Sequence, residues 1–267
     1  MTLNQFAIRL TSAHGPLDAR RVTPNGLQGV FHDVLKRHDP RAATWLHDHP
    51  APKPYTLAAA HYDHQRRQMA GLLISTLSQE ASDRIIAAWR AAYEQRHILR
   101  FGVDGSPAEQ PFVITELIPI DTTAFDRLTQ APPTRNLGLH FLTATAFSQG
   151  QGDLLFPLPR NVFMRPYEVW QTFAPEEFRL PADWLDWCEH NLFCSEHDIR
   201  TVPSNISRDK RFTGFIGKAW FQVILDRQDD RDHNLYTRIL GALGRFITYS
   251  GIGRKTTMGM GAVEPIS

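Results

Sequence analysis

The sequence has little cysteine and no long apolar run, and both scarcities limit what the protein can be. Its 267 residues include two cysteines, Cys188 and Cys194, which are too few for a disulfide framework and, by themselves, for a zinc site. Such a chain is expected in the reducing cytoplasm. No segment reaches the roughly 20 apolar residues of a membrane-spanning helix, and the N-terminus lacks the apolar stretch of a signal peptide, so no membrane partner is predicted.

Net charge is also scarce, but it is unevenly distributed. The chain has 29 basic and 28 acidic residues, which gives a formal charge of +1, whereas strong nucleic-acid binders are often clearly basic. Residues 207–267 contain ten Lys or Arg and six Asp or Glu, so this segment has an excess of four positive charges. The remainder is slightly acidic. The C-terminal quarter is therefore the part expected to face phosphate groups.

Alternation and helical spacing predict the same order of elements twice. In the first half, strands are predicted at about 3–10, 55–62, 69–77 and 112–120, and helices at 27–35, 40–46 and 78–93. In the second half, the first strand is predicted at 137–147 and the last at 258–263. Two strands are predicted between them, and the second of these two covers 215–225. Helices are predicted at 161–173, 183–193 and 233–249. The order strand–helix–strand–strand–helix–strand is typical of ferredoxin-like domains. The predicted fold class is α+β: two tandem ferredoxin-like (RRM-like) domains at 1–129 and 135–267, with antiparallel sheets and helices packed on one face.

The most specific feature is a glycine-rich segment, Gly-Ile-Gly-Arg-Lys-Thr-Thr-Met-Gly-Met-Gly, at residues 251–261. Its glycines allow positive φ angles and close backbone approach, and its polar side chains supply donors for phosphate oxygens. The spacing is neither that of a Walker loop nor that of a dinucleotide fingerprint, so no cofactor is predicted. A purely structural interpretation is that the glycines end a helix and shape a turn. The predicted phosphate-binding residues are Gly251, Gly253, Arg254, Lys255, Thr256, Thr257, Gly259 and Gly261.

This segment resembles the C-terminal glycine-rich loop of the CRISPR repeat-processing endoribonucleases, members of the repeat-associated RNA-binding superfamily with tandem ferredoxin-like domains. Weaker similarities extend over most of the chain. Residues 212–217 (Phe-Thr-Gly-Phe-Ile-Gly) are similar to the family's strand before its last helix. Residues 139–147, with Pro157-Leu-Pro159, are similar to its Thr-Pro-Thr block, except that Ala144 stands where proline is usual. Residues 29–35 and 42–47 are similar to its first helix and the segment behind it.

The resemblance implies a metal-independent cut within the repeats of precursor CRISPR RNA. A ribose 2′-OH would attack the neighbouring phosphorus and leave a 2′,3′-cyclic phosphate and a 5′-OH. In this family a catalytic histidine lies at the position of His47, a lysine at that of Lys53, and a third group, often tyrosine, at that of His32. Histidine suits proton transfer near neutral pH, and lysine suits stabilisation of negative charge. His47 is thus predicted as the principal acid or base, His32 as its complement and Lys53 as electrostatic stabiliser, with no metal.

The implied partner is repeat RNA, as precursor and as mature guide, bound by the eight loop residues. Other subunits of a CRISPR effector complex, and a second copy of the chain, are partners that the resemblance leaves open.

Two other functions fit parts of the sequence. His47-Asp-His49 and His61-Tyr-Asp-His64 suggest a metal hydrolase, but their spacing matches no helical His-Glu-x-x-His motif. A non-catalytic RNA-binding subunit would share the glycine-rich segment and would differ only at His32, His47 and Lys53. For His32 and Lys53, packing at the edge of a core and a solvated loop lysine are the structural interpretations.

Overall fold

Two antiparallel sheets, one in each half of the chain, form the framework of the part that the structure describes. It is a computed structural model and describes residues 2–61, 68–101, 110–207, 210–225 and 231–266. The strands of the first half are β1 (Thr2–Thr11), β2 (Leu17–Asp18), β3 (Tyr55–His61), β4 (Gln68–Thr76), β5 (Ile98–Phe101) and β6 (Gln110–Ala124). Its helices are α1 (Pro24–His38), α2 (Pro40–Asp48), α3 (Gln79–Glu94) and α4 (Phe125–Thr129).

The second half has the strands β7 (Asn136–Thr145), β8 (Phe147–Gln149), β9 (Gly152–Leu154), β10 (Leu192–Ser207), β11 (Lys210–Val223) and β12 (Val263–Ile266). Its helices are α5 (Pro159–Phe173), α6 (Trp184–Asn191) and α7 (His233–Ser250). Short 3-10 helices lie at Ala19–Arg21, Glu176–Phe178 and Thr256–Met258. None of the helices in the described ranges is both long and apolar enough to cross a bilayer.

Both sheets have the strand order of the ferredoxin-like fold. The first runs β3-β4-β1-β6-β5, with β2 also paired to β4, and the second runs β10-β11-β7-β12. In the first sheet the central strand β1 lies between β4 and β6, and in the second sheet β7 lies between β11 and β12. All four pairings are antiparallel. The predicted α+β fold with two tandem ferredoxin-like domains is confirmed.

Two side-chain caps place α1 and α2 end to end. The Thr23 hydroxyl accepts from the N–H of Gly26 at 3.0 Å, and Pro24 takes the first helical position. Asp39 caps α2 in the same way, so one residue separates the two helices. The apolar face of α1 is buried in the first core; it consists of Leu27, Val30, Phe31, Val34 and Leu35. His32 is left half-buried at the edge of this core.

Hydrogen bonds tie the end of α7 to the first sheet. Thr56 of β3 donates its hydroxyl to the carbonyl of Tyr249 at 2.8 Å, and the Gln5 amide donates to that of Thr248 at 3.2 Å. The Tyr249 hydroxyl donates to Asp121 of β6. The two halves are therefore joined through buried polar contacts as well as apolar packing.

The second core also takes in α4, whose Phe125 and Leu128 pack among residues of the second half. This helix falls inside the first predicted domain. The domain limits 1–129 and 135–267 stay a prediction.

The final predicted strand was wrong in position. It was expected at 258–263, but β12 begins at Val263 because positive φ angles at Gly259 and Gly261 interrupt extended backbone. The helix predicted at 183–193 ends at Asn191, since the next two residues already pair with β11. Four elements have no counterpart among those predicted from the sequence: β2, β5, α4 and the β8–β9 hairpin. Residue 62, at the end of one predicted strand, lies outside the described residues.

Candidate active site

A buried tyrosine holds the ring of His32 on α1. The Nε2 of His32 lies 3.2 Å from the Tyr55 hydroxyl. Tyr55 is 2% exposed and stacks on Phe31 with ring centroids 4.6 Å apart. Burial raises the pKa of Tyr55 to about 12, and a hydrogen bond from Gln28 opposes this rise. The hydroxyl therefore keeps its proton at neutral pH and fixes one side of the imidazole.

Tyr55 was missed by the sequence analysis. The sequence offered only one signal, a tyrosine two residues after the predicted lysine at the start of a strand. Its contact with His32 spans 23 residues and depends on how α1 packs on β3.

The same environment sets the protonation state of His32. Burial lowers the pKa of His32 to about 4, and the charges of Lys36, His47 and Lys53 act in the same direction. The imidazole is consequently neutral at pH 7 and can accept a proton. Because His47 and Lys53 are close enough to act on His32, the structure brings the three predicted catalytic residues together.

Lys53 binds the end of α2. Its Nζ donates to the carbonyl oxygens of Leu46 at 3.0 Å, His47 at 2.6 Å and His49 at 2.5 Å. An ammonium group has three donors, so all of them are used by backbone carbonyls. This is also the helix end at which a cation is favoured. Lys53 therefore fixes the backbone of His47, and its predicted role as electrostatic stabiliser stays a prediction.

The two histidines at the end of α2 have different surroundings. His47 is exposed. His49 has its Nδ1 2.7 Å from the carbonyl oxygen of Pro50, and its ring stacks on Phe173 of α5 at 6.0 Å. Within the described ranges no group of three His, Cys, Asp or Glu side chains could hold a metal ion. His64, part of the second histidine pair considered from the sequence, lies outside those ranges.

The glycine-rich loop, residues 251–261, is a folded unit docked on β7. The N–H of Arg254 donates to the carbonyl of Ala146 at 3.1 Å, and that of Gly261 donates to Ala144 at 3.2 Å. At Gly261, where φ is +66°, a Cβ atom would lie 1.9 Å from the carbonyl oxygen of Ile252. The loop conformation therefore requires glycine at this position.

The loop residues differ in accessibility. Arg254 is exposed and pairs with Asp153, while Lys255 and Thr257 are half-buried. Thr256 is 2% exposed, and its hydroxyl has no hydrogen-bond partner among the described residues. Three predicted binding residues, Gly251, Thr256 and Gly261, are buried, and their role in binding stays a prediction. Gly253, Arg254, Lys255, Thr257 and Gly259 are at least partly exposed.

The loop lies against the helix that carries His32. A Cβ atom at Gly259 would come within 2.5 Å of the Leu27 side chain on α1. Leu27 precedes His32 by five residues, or about 7.5 Å along the helix axis. A cleft of about 530 Å³ opens beside this contact, lined by residues that include Thr23, Leu27, Arg200, Ser204, Met258 and Gly259. The loop, α1 and β10 thus share one concave surface.

Parts of this chain are similar in sequence to known proteins. Residues 139–263 match the family model described as "CRISPR-associated endoribonuclease Cas6". A curated CRISPR-associated endoribonuclease Cas6 of Mycobacterium tuberculosis is 29% identical over 192 residues, which cover 72% of this chain. The chain is similar to Cas6 endoribonucleases, and the family model covers a little under half of it. The match spans little more than half of that relative, 57% of its length.

Solved Cas6 structures share the fold over the whole chain. A structure described as a Cas6 product complex is 23% identical, covers 100% of both chains and gives a TM-score of 0.76. Thermus thermophilus Cas6 is 21% identical, with 99% of this chain and 98% of that chain covered and a TM-score of 0.73. At these identities the likeness concerns the fold.

Proposed function

We propose that this chain cuts precursor CRISPR RNA within its repeats, without a metal ion, to produce guide RNAs. The 2′-OH attacks the neighbouring phosphorus, the 5′-oxygen leaves, and the products carry a 2′,3′-cyclic phosphate and a 5′-OH. The observation that carries the proposal is the packing of the glycine-rich loop on α1, beside the neutral His32. Similarity to Cas6 endoribonucleases supports repeat RNA as the substrate.

The pKa of His32 favours it as the base. In the tautomer with a proton on Nε2, the ring donates to the Tyr55 hydroxyl and leaves Nδ1 free to accept the 2′-OH proton. His47, exposed at the end of α2, then protonates the leaving 5′-oxygen. Lys53 holds the backbone of His47, and its charge lies close to the reacting groups.

The glycine-rich loop grips the RNA backbone. Arg254 and Lys255 supply the positive charge, and Arg254 exchanges its ion pair with Asp153 for a phosphate contact. In this arrangement the residues that move protons belong to segment 1–129 and the RNA-gripping loop belongs to segment 135–267. We place the reaction in the cytoplasm, since both cysteines are free thiols.

Cleavage of a repeat RNA in EDTA tests the proposal. Wild-type protein should cut the RNA, His47→Ala and His32→Ala should each slow the cut at least tenfold, and mass spectrometry should find the cyclic phosphate. His14→Ala, which removes an exposed histidine in the turn between β1 and β2, is the matched control. Cutting that persists in RNA with a 2′-deoxy scissile nucleotide would show that another nucleophile acts.

The second function, a non-catalytic repeat-RNA-binding subunit, has one observation in its favour. All three protons of Lys53 are used by backbone carbonyls, so this ammonium has no donor free for a phosphate. Tight binding of repeat RNA by wild-type protein with no product over hours would favour this function.

A further inference from the structure

A basic cleft lies along α1 from Gly29 to the C-terminal end of the helix. Its volume is about 720 Å³, and it lies between the last turns of α1 and the turn that leads from α3 into β5. The residues that line it are Gly29, Val30, Asp33, Arg37, His38, Gln95, Arg96, His97, Ile98 and Arg100. Three arginines and one carboxylate among them give the cleft an excess of positive charge.

The floor of the cleft is a pair of histidines, of which His97 is buried and His38 is half-buried. The side chain of His97 is 5% exposed, and its Nδ1 lies 2.9 Å from Nε2 of His38. The other nitrogen of His97 is 3.3 Å from Asp33, which also accepts from Nε of Arg37 at 3.1 Å. This network fixes the end of α1 against the turn before β5, so the cleft has a defined shape.

Arg96 has a backbone conformation that favours glycine. Its φ angle is +52°, in the turn where the N–H groups of Gln95 and His97 bond back to the carbonyls of Ala91 and Ala92. Glycine is the usual residue in the left-handed position after a helix, because a Cβ atom there is unfavourable. An arginine at such a position lowers the stability of the fold. A function of its side chain would explain why arginine is found there.

Two arginines of the cleft have no acidic partner in the part of the chain that the structure describes. Arg96 and Arg100 are both exposed, and neither forms an ion pair or side-chain hydrogen bond with any residue in the described ranges. Guanidinium groups that converge on a concave surface attract anions and bind phosphate oxygens well. The absence of Phe, Tyr and Trp from the lining favours the phosphate backbone over stacked bases.

The cleft and the candidate active site share one helix, α1. Lys36 lies one turn after His32, and its charge acts on that imidazole. Arg37 and His38 follow, so about 9 Å of helix axis separates His32 from the end of α1. An RNA strand that leaves the scissile phosphate along α1 would meet these positive charges next.

We propose that this cleft binds backbone phosphates of the substrate RNA beside the cut site, with Arg96 and Arg100 as the principal contacts. The proposal rests on the proposed function for the identity of the RNA. The contact is independent of base sequence and adds to the grip of the glycine-rich loop from the other end of α1.

Binding of a repeat RNA that carries a 2′-deoxy scissile nucleotide tests the cleft, because it separates binding from cutting. Arg96→Gly removes the side chain and suits the left-handed backbone, so its melting temperature should equal or exceed that of wild type. Its Kd at 0.1 M salt should rise about three- to tenfold, and the slope of log K against log salt should become shallower by about one. In the double variant Arg96→Gly/Arg100→Ala, the slope should become shallower by about two.

Arg90→Ala, which removes an exposed arginine of α3 outside the cleft, is the matched control and should bind like wild type. Arg96→Lys should restore most of the salt dependence. A well-folded double variant with the affinity and salt slope of the Arg90→Ala protein would overturn the proposal. If wild type fails to cut an all-ribose repeat while Arg96→Gly still loses affinity, the proposed catalysis fails and the binding cleft stands.

Discussion

The half-buried imidazole of His32 makes folding stability depend on pH, and this dependence can be measured without RNA. Burial and neighbouring positive charges lower the pKa of His32 from 6.5 to about 4. As pH falls below 6.5 the unfolded chain binds a proton here, whereas the folded chain does not until about pH 4. The free energy of unfolding that His32 contributes at pH 7 is therefore lost progressively between these two values.

The size of the effect follows from the shift. Each unit of pKa corresponds to about 1.4 kcal/mol, which sets an upper bound of about 3.5 kcal/mol. Part of the ring faces solvent, which screens its neighbours and weakens the penalty for charging it. We expect a loss of about 1–2 kcal/mol between pH 7.5 and pH 4.5 from this residue.

The assay is urea unfolding of wild type and His32→Gln at both pH values. The Gln carbonyl can accept a hydrogen bond from the Tyr55 hydroxyl without binding a proton in this range. Wild type should lose about 1–2 kcal/mol more than the variant on acidification, and His14→Gln, the control at an exposed histidine, should follow wild type. His38 and His97, whose pKa values are also lowered by burial, titrate in all three proteins and cancel. Equal losses in wild type and His32→Gln would refute the reasoning.

Three further substitutions test the site. Tyr55→Phe removes the hydroxyl 3.2 Å from His32 and should slow single-turnover cleavage about tenfold with unchanged Kd; an unchanged rate would mean that the contact does not position the base. Lys53→Met removes three hydrogen bonds at the end of α2 and should lower the free energy of unfolding in urea by about 1–3 kcal/mol. Lys53→Arg should recover part of this loss. Unchanged urea unfolding of Lys53→Met would contradict the capping contact. Gly261→Ala should lower the free energy of unfolding by more than about 2 kcal/mol, about twice the effect of the control Gly150→Ala. Both glycines have a positive φ angle, but only Gly261 lacks space for a Cβ atom. Equal effects would show that the loop can adjust to the added atom.

The fold could be predicted because its main elements carry strong periodic signals. The alternation of Leu139 and Phe141 identified β7, and the helical spacing of Leu243 and Phe246 identified α7. By contrast, β5 has four residues and β8 and β9 have three each, which is too few for periodicity to distinguish them from loops.

The site could be predicted only in part. His32, His47 and Lys53 were predicted from resemblance, and the structure brings them together. The carbonyl contacts of Lys53 and the tyrosine behind His32 depend on tertiary packing, which short-range pattern does not encode. The left-handed backbone conformation of Arg96 could not be predicted either, since residue type alone predicts a negative φ angle there.

The packing of Gly259 on Leu27 has a mechanical consequence. Since α7 is also fastened to the first sheet through the Tyr249 and Thr248 carbonyls, the loop cannot shift without displacing the start of α1. Under the proposed function, the elements that hold the RNA and those that cut it would therefore form one rigid unit. An RNA that the loop accepts out of register would present the wrong linkage to His32, so fidelity of the cut would be decided at the moment of capture.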